Sequence, residues 1–218
     1  MQRRPNRGVF VYATIAHVEI ILILMAVAAF GVCHTLFASY RAKLIAQKVL
    51  GKNLAAAVYR AVFNGLSVLS LAPTLYLLVA LPDRELYRFA APLSYVAVII
   101  QAIAGLGVVY SVYQLDVWFF AGLRQLRDRG AESIDSTSTA KLVTTGLHRY
   151  VRHPLYSTSI VFLWLSSPMT INRLTLIASF TLYFYVGSIF EERKLVREFG
   201  DAYQRYQRDV PRLIPRLR

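Results

Sequence analysis

The sequence has one cysteine, few acidic residues and a small charged fraction. Cys33 is alone among 218 residues, which excludes an internal disulfide and a cysteine-rich zinc or iron–sulfur site. Charged residues make up 17% of the chain, below the roughly 25% that soluble domains usually contain. Apolar residues make up 56%. These proportions exclude a disordered chain and a collagen-like fibre, and they favour an integral membrane protein over a soluble domain.

The charge of the chain is strongly positive, with 25 Lys and Arg against 12 Asp and Glu and a net charge of +13. On a soluble protein this balance would suggest a nucleic-acid partner. Here the basic residues lie in the breaks between apolar runs and form no compact basic face. We therefore expect the lipid bilayer, with its anionic headgroups, to be the partner, and no nucleic acid.

Five apolar runs are candidates for membrane-spanning helices, because a bilayer core about 30 Å thick needs roughly 20 apolar residues per helix. The last two are shorter and are separated by Asn172 and Arg173, which predicts a helical hairpin. The predicted fold is an all-α polytopic membrane domain over residues 1–218, with spans Val18–Ala38, Ala61–Leu81, Phe89–Ser111, Leu155–Ile171 and Leu174–Phe190.

The distribution of basic residues predicts the orientation. With five spans, 19 Lys and Arg fall on the side that carries the C-terminus and 6 fall on the other side. Because basic residues accumulate on the cytoplasmic side of membrane proteins, we expect a cytoplasmic C-terminus. We also expect an amphipathic helix after the last span on that side.

Few polar residues lie inside the predicted spans, and each is a candidate for function because its burial in lipid is costly. His17 and Glu19 lie near the outer interface, where both side chains can reach water. His34 lies near the inner end of the first span. It could point into a site, or it could be a hydrogen-bonded packing residue.

The long connection from Val112 to Pro154 is too polar to span a membrane. Its first part, Asp116–Leu126, mixes aromatic and charged residues as an interfacial helix does, and Ser133–Thr139 is predicted to be flexible. Pro154 disfavours a helical conformation at the preceding residue and suits the first turn of the next helix. Arg152 and His153 are therefore expected on a fixed bend at the membrane surface, where they could form a site or anchor headgroups.

A second informative segment follows the last span. If the helix continues, four apolar or aromatic residues share one face, namely Leu195, Phe199, Tyr203 and Tyr206. Glu191 is predicted to lie on that inward face and Glu192 on its flank. A partner for Glu191 could be Arg149 or Arg152 in a plain ion pair, or a bound polar ligand. No metal is expected, because His148 and His153 have no cysteine-rich or acidic neighbourhood.

The two segments together resemble the isoprenylcysteine carboxyl methyltransferases and phospholipid methyltransferases, a group of integral membrane enzymes. The likeness covers roughly the last 80 residues and rests on Leu142-Val143, Gly146, Arg152-His153-Pro154, Tyr156, Glu191-Glu192, Phe199-Gly200, Tyr203, Tyr206 and Val210-Pro211. The first half has a looser likeness to methanethiol methyltransferases and to relatives linked to nitrogen-oxide metabolism. One departure is Gly187, where prenylcysteine enzymes tend to place the arginine that meets the substrate carboxylate.

The resemblance implies a cytoplasmic site for S-adenosylmethionine within residues 112–218, and a small or lipophilic methyl acceptor. It implies cofactor-binding roles for Lys141, Leu142, Val143, His148, His153, Pro154, Leu155, Tyr156 and Glu191, and catalytic roles for His153, Tyr156 and Arg152. A carboxylate acceptor needs no base, whereas a thiol or an ammonium group could use His153, Tyr156 or His34. Two alternatives stay open: an NADPH-dependent membrane reductase of the sterol-reductase type, and a non-catalytic membrane accessory protein.

Overall fold

The computed structural model describes residues 7–114, 116–129 and 142–216, and their side chains from residue 17 onward. The predicted flexible stretch Ser133–Thr139 and the predicted cofactor residue Lys141 lie outside the described residues. The described chain is mostly helical. Its helices are α1 (Arg7–Ala38), α2 (Tyr40–Leu50), α3 (Lys52–Ala80), α4 (Leu93–Gln114), α5 (Val117–Ala121), α6 (Leu123–Arg127), α7 (Pro154–Trp164), α8 (Ile171–Phe199) and α9 (Asp201–Asp209), with strands β1 (Glu85–Tyr87) and β2 (Met169–Thr170) and a 3-10 turn (Gly146–Arg149).

Four helices within the described ranges are long and apolar enough to cross a membrane. They are His17–Ala38 within α1, Lys52–Ala80, Leu93–Gln114 and Ile171–Phe199. Each coincides with a predicted span to within about ten residues at either end. The chain is therefore a helical protein with several membrane-spanning candidates, as its apolar runs indicate.

The predicted fourth span differs from its expected form. α7 has 11 residues and is about 16 Å long, only half of a bilayer core of about 30 Å. It starts at Pro154 as predicted but ends at Trp164. The irregular residues 165–168 then lead to β2, and the turn lies there rather than at Asn172 and Arg173, which form the first turn of α8. Thr170 caps that turn by accepting a hydrogen bond from the Arg173 amide.

The two strands close one end of the helix bundle, which we call the sheet end. β1 pairs antiparallel with β2, so the loop after α3 and the segment before α8 lie side by side. The buried Asn172 ties the two together, since its amide nitrogen donates to the Pro82 carbonyl at 3.0 Å. The opposite end carries α2, α5, α6 and α9, and we call it the site end.

The helices pack in two groups. Ile23 and Val27 of α1 form an apolar core with Leu176 of α8, with Leu77 of α3 against it. α4 packs on α7, where a Cβ atom at Gly107 would lie 2.7 Å from the side chain of Thr158. The missing side chain at Gly107 therefore allows this close helix contact, as small residues do in membrane bundles.

The predicted interfacial helix is divided into α5 and α6. Gly122 separates them with φ +84°, and a Cβ atom there would lie 2.6 Å from the backbone of Ala61. Only glycine combines that conformation with that approach. The break brings α5 and α6 against the start of α3, so they cover the site end of the bundle.

Candidate functional site

A polar cavity of about 260 Å³ lies at the site end. Its walls come from the start of α3, the segment before α7, the end of α8 and α9. The lining residues are Arg60, Leu142, Val143, His148, Arg152, His153, Glu191, Lys194, Leu195, Glu198, Phe199, Tyr203 and Tyr206. The four residues that were predicted to share one helical face, from Leu195 to Tyr206, all line it, although the helix breaks between them at Gly200.

A buried network centred on Glu192 holds one wall of this cavity. Glu192 Oε1 accepts from Arg152 Nε at 2.7 Å and bonds His153 Nε2 at 3.2 Å. Its Oε2 accepts from Gln207 at 3.0 Å and from Arg212 at 2.9 Å. Both carboxylate oxygens are thus fully used, which satisfies a charge that would otherwise be costly to bury.

The chain after α9 completes this network. Arg152 and His153 donate their backbone amides to the carbonyls of Pro211 and Arg212, at 2.9 and 3.1 Å. The Arg152 guanidinium also donates to the carbonyls of Gln207 and Val210. The bend before Pro154 is therefore fixed by the residues that follow α9, and the arginine serves to hold this wall together.

The roles of the two adjacent acids differ from the prediction. Glu192, expected on the flank, has a side chain only 4% exposed, whereas the Glu191 side chain is 46% exposed and faces the polar cavity. Periodicity placed Glu191 correctly on the side of Leu195. It missed the burial of Glu192, because the groups that bury Glu192 come from the segment before α7, from α9 and from the segment after α9.

His153 lies between the two carboxylates. Its Nε2 is 3.2 Å from Glu192 and its Nδ1 is 3.5 Å from Glu191. Burial alone would lower the pKa of His153, but the contacts with Glu191 and Glu192 outweigh burial and raise the pKa above its usual value. A raised pKa favours the protonated ring, in which both nitrogens are donors, so the residue is suited to orient Glu191.

Two buried polar atoms of residues that line the polar cavity are left unsatisfied by the described residues. His148 Nδ1 and the Tyr203 hydroxyl are buried and have no hydrogen-bond partner in the described part of the chain. Burial, and then the neighbouring His153, lower the pKa of His148, while burial raises that of Tyr203. Both side chains are therefore neutral near pH 7. The apolar Leu142 and Val143 line the same cavity.

A second, apolar cavity of about 720 Å³ extends from the site end into the bundle. Aromatic side chains are frequent in its walls, which come from α1, α2, α3, α5, α6, α7 and α8. The lining residues are Phe30, His34, Ala38, Lys43, Ala56, Tyr59, Arg60, Phe63, Asn64, Ser67, Val68, Phe120, Ala121, Gln125, Leu155, Tyr156, Phe180, Tyr183, Phe184 and Gly187.

The two cavities meet at Arg60, Tyr156 and Glu191. Arg60 lines both of them. Tyr156 lines the apolar cavity and donates its hydroxyl to Glu191 of the polar cavity at 3.1 Å. The Tyr156 ring is stacked between His153 and Phe184, at centroid distances of 5.5 and 5.1 Å. A continuous wall therefore runs from the apolar cavity to the charged groups.

His34 lies deeper in the apolar cavity. Its Nδ1 is 3.1 Å from the Ser67 hydroxyl, and Ser67 donates to the Phe63 carbonyl at 2.8 Å. Its ring is 6.3 Å from that of Tyr183, eight residues before Glu191 and so about 12 Å from it along α8. His34 is thus a hydrogen-bonded wall residue, well away from the meeting point of the cavities.

The predicted site residues fall into three groups. Leu142, Val143, His148, Arg152, His153 and Glu191 come together around the polar cavity. Leu155 and Tyr156 line the apolar cavity instead, and Pro154 faces a separate groove beside α4. These three were expected in the cofactor wall, but consecutive residues at a helix start point in different directions. The described ranges contain no cluster of metal-ligating side chains.

Sequence reasoning missed Arg60. It was counted with the basic loop residues, because the apolar run begins at Ala61. α3 in fact starts at Lys52, so Arg60 lies more than two turns inside the helix. Its guanidinium sits over the Phe119 ring, 4.3 Å from the centroid. Only the position of α5 reveals this contact, and nothing in the local sequence does.

The chain is similar to proteins that are named as methyltransferases. The profile of a family described as "Protein of unknown function (DUF1295)" matches residues 37–210. The chain is 30% identical over 205 residues to methanethiol S-methyltransferase 1 of Bradyrhizobium diazoefficiens, covering 90% of the chain and 67% of that protein. It is 34% identical over 110 residues to methanethiol S-methyltransferase of Mycobacterium tuberculosis, covering 50% of the chain and 43% of that protein.

A relative with a different acceptor is also similar. Protein-S-isoprenylcysteine O-methyltransferase of Schizosaccharomyces pombe is 34% identical over 123 residues. The matched part covers 49% of the chain and 51% of that protein. The matched part of the chain thus spans about half, or less, of the length of the M. tuberculosis and S. pombe proteins. The predicted resemblance to both groups of methyltransferases is confirmed.

Proposed function

Because the chain belongs to the family described as protein of unknown function (DUF1295), and its named relatives are methyltransferases, we propose that it transfers a methyl group from S-adenosylmethionine to a small or lipophilic nucleophile. Thiols are the first choice of acceptor, since the relative that aligns over most of the chain is named for methanethiol. We further propose that the site faces the cytoplasm, because the site end carries the larger share of basic residues.

The observation that carries the proposal is the meeting of a polar and an apolar cavity at Tyr156 and Glu191. Methyl transfer by direct displacement requires the nucleophile, the methyl carbon and the leaving sulfur to be held in line. Two adjacent cavities, one with charged and hydrogen-bonding groups and one with aromatic walls, provide separate places for a polar methyl donor and a lipophilic acceptor.

The residues of the polar cavity would bind the donor, which when bound supplies an electrophilic methyl carbon. Glu191 would accept hydrogen bonds from its cationic or hydroxyl groups, and His153 and Tyr156 would orient Glu191. His148 and Tyr203 would form part of the wall against the donor. Leu142 and Val143 would exclude water from the ring of the donor.

Four of the predicted groups are poorly placed to act as a general base. Contacts with Glu191 and Glu192 raise the pKa of His153, which favours its protonated form, and the Tyr156 hydroxyl donates to Glu191. His34 is hydrogen-bonded to Ser67 and packs beside Tyr183, about two helical turns before Glu191. Arg152 is occupied by Glu192 and by backbone carbonyls. These four groups would therefore position the reactants and build the cavities rather than accept the acceptor's proton.

Calorimetric titration of the purified protein tests the proposal. We expect S-adenosylmethionine and S-adenosylhomocysteine to bind and NADPH not to bind. Glu191→Gln should weaken binding by about 1–3 kcal/mol, the usual cost of losing a charged hydrogen-bond partner. Glu85→Gln is the matched control, because Glu85 pairs only with Arg88 at the sheet end among described residues. Binding of NADPH without binding of S-adenosylmethionine would support the reductase alternative, and binding of neither would support an accessory role.

A further inference from the structure

Gly187 leaves space in the wall of the apolar cavity, because it has no side chain. It lies on α8 within the cavity wall, one helical turn before Glu191. A Cβ atom built at this position would meet no other atom within 4 Å. The cavity is therefore open next to the meeting point of the two cavities, because residue 187 has no side chain.

The cavity is much larger than methanethiol needs. Its volume is about 720 Å³, within the range of roughly 300–1,000 Å³ that accommodates drug-sized ligands. Methanethiol has two heavy atoms and would occupy about 60 Å³, taking about 30 Å³ for each as for water. The aromatic walls, including Phe30, Phe63, Phe180 and Tyr183, favour an apolar occupant that fills the remaining length.

Arg60 places a positive charge in the wall that the two cavities share. It lines both cavities, and the ring of Phe119 holds its guanidinium. A fixed cation near a thiol lowers the pKa of that thiol and favours the nucleophilic thiolate. The same cation repels an ammonium group. From its place in the wall shared by the two cavities, Arg60 can thus favour the ionised form of an acceptor thiol.

Building on the proposed methyltransferase function, we propose that the acceptor is a lipophilic thiol longer than methanethiol, bound as a thiolate beside Arg60 with its apolar tail extending past Gly187. The thiol loses its proton to solvent water. The thiolate sulfur then forms a bond to the methyl carbon, while the bond between that carbon and the donor sulfur breaks and leaves its electron pair on the donor sulfur. The product is a neutral methyl thioether.

A series of acceptors tests the size of the occupant. Methanethiol, hexanethiol and decanethiol are compared in detergent with S-adenosylmethionine, and S-adenosylhomocysteine is measured as product. We expect kcat/KM to rise from methanethiol to hexanethiol. Gly187→Leu should lower the ratio of hexanethiol to methanethiol by about 100-fold, since each methylene excluded from an apolar pocket costs about 10-fold or more. Gly187→Ala should lower this ratio less. If Gly187→Leu does not fold, the alanine variant still tests the inference.

Gly65→Leu is the matched control. Gly65, like Gly187, is a helical glycine with open space at its Cβ, although it is more exposed, and it lines none of the three cavities described. Its substitution should leave the ratio unchanged. A ratio that Gly187→Leu does not move, or a preference of the unaltered protein for methanethiol, overturns this inference but leaves the methyltransferase function intact. If no thiol is methylated and S-adenosylmethionine does not bind, the proposed methyltransferase function itself is overturned.

The dependence on pH tests Arg60. Arg60→Gln should reduce kcat/KM for hexanethiol about 10-fold or more near pH 7, and raising the pH toward 10 should restore most of it, because the thiol then ionises unaided. Arg60→Lys should retain part of the effect. A loss that persists at all pH values indicates a purely structural arginine and overturns the role of Arg60. Equal or better methylation of hexylamine or hexanoate overturns the assignment of a thiol.

Discussion

Glu192 and Glu191 are adjacent in sequence, but neutralising them should have different effects, on stability for Glu192 and on ligand binding for Glu191. Glu192→Gln keeps the shape of the side chain and removes its charge. One amide group cannot replace a carboxylate that accepts from Arg152, Gln207 and Arg212, because its nitrogen would face a donor. Breaking a buried ion pair by removing one partner costs about 3–5 kcal/mol. We expect that loss in the free energy of unfolding.

The measurement is unfolding of the purified protein in mixed micelles by added denaturing detergent, followed by circular dichroism. Glu191→Gln should change the free energy of unfolding by less than about 1 kcal/mol, since its side chain faces the cavity and solvent, while it weakens binding of S-adenosylmethionine. Glu192→Gln should mainly lose stability. If Glu192→Gln were within about 1 kcal/mol of the unaltered protein, or if both variants lost stability equally, the division of roles between the two acids would be wrong.

Three further predictions concern His153 and the orientation. His153→Asn should reduce turnover about 100-fold while the protein remains folded, because asparagine cannot hold a charge between two carboxylates; unchanged turnover would remove His153 from the site. The folded state raises the pKa of His153, so the stability that this residue contributes should be complete below pH of about 6.5 and should be lost as the pH rises through the higher folded value. Between pH 6 and pH 9, the unfolding temperature of His153→Asn should therefore fall less steeply than that of the unaltered protein. Parallel curves would contradict the charge assignment. A reporter fused after Arg218 should report the cytoplasm and one inserted between Pro82 and Tyr87 the opposite side; both reporters on one side would refute the topology.

Hydropathy predicted the helical membrane fold well, because a bilayer requires long apolar helices and these are visible in the sequence. It failed on the fourth span, where a run of 17 apolar and small polar residues corresponds to a helix of 11 residues. Pro168 and Ser166-Ser167 end the regular structure before the run ends. An average of hydropathy over a window does not show at which residue a helix ends.

The candidate site was predictable where it depends on local spacing. The residues from Leu195 to Tyr206 line one cavity, as their helical spacing indicates, and the bend at Pro154 places His153 beside it. Arg60 could not be assigned in this way, because its contact is with Phe119 of α5. Gly187 was noticed only as a departure from related enzymes, and the open space beside it leaves no pattern in the nearby sequence.

The two adjacent acids show why the remaining part of the site required the structure. Neighbouring residues on a helix point about 100° apart, so at the end of α8 one acid faces the cavity and the next faces α9. A helical face predicts only the first direction. The second acid acquires its partners from residues 15 and 20 positions later in the chain, which hold it in place. Because His153 contacts both carboxylates, the buried Glu192 holds the imidazole ring that in turn lies against the more exposed Glu191. The acid proposed to meet a ligand is thus positioned through the acid that is buried.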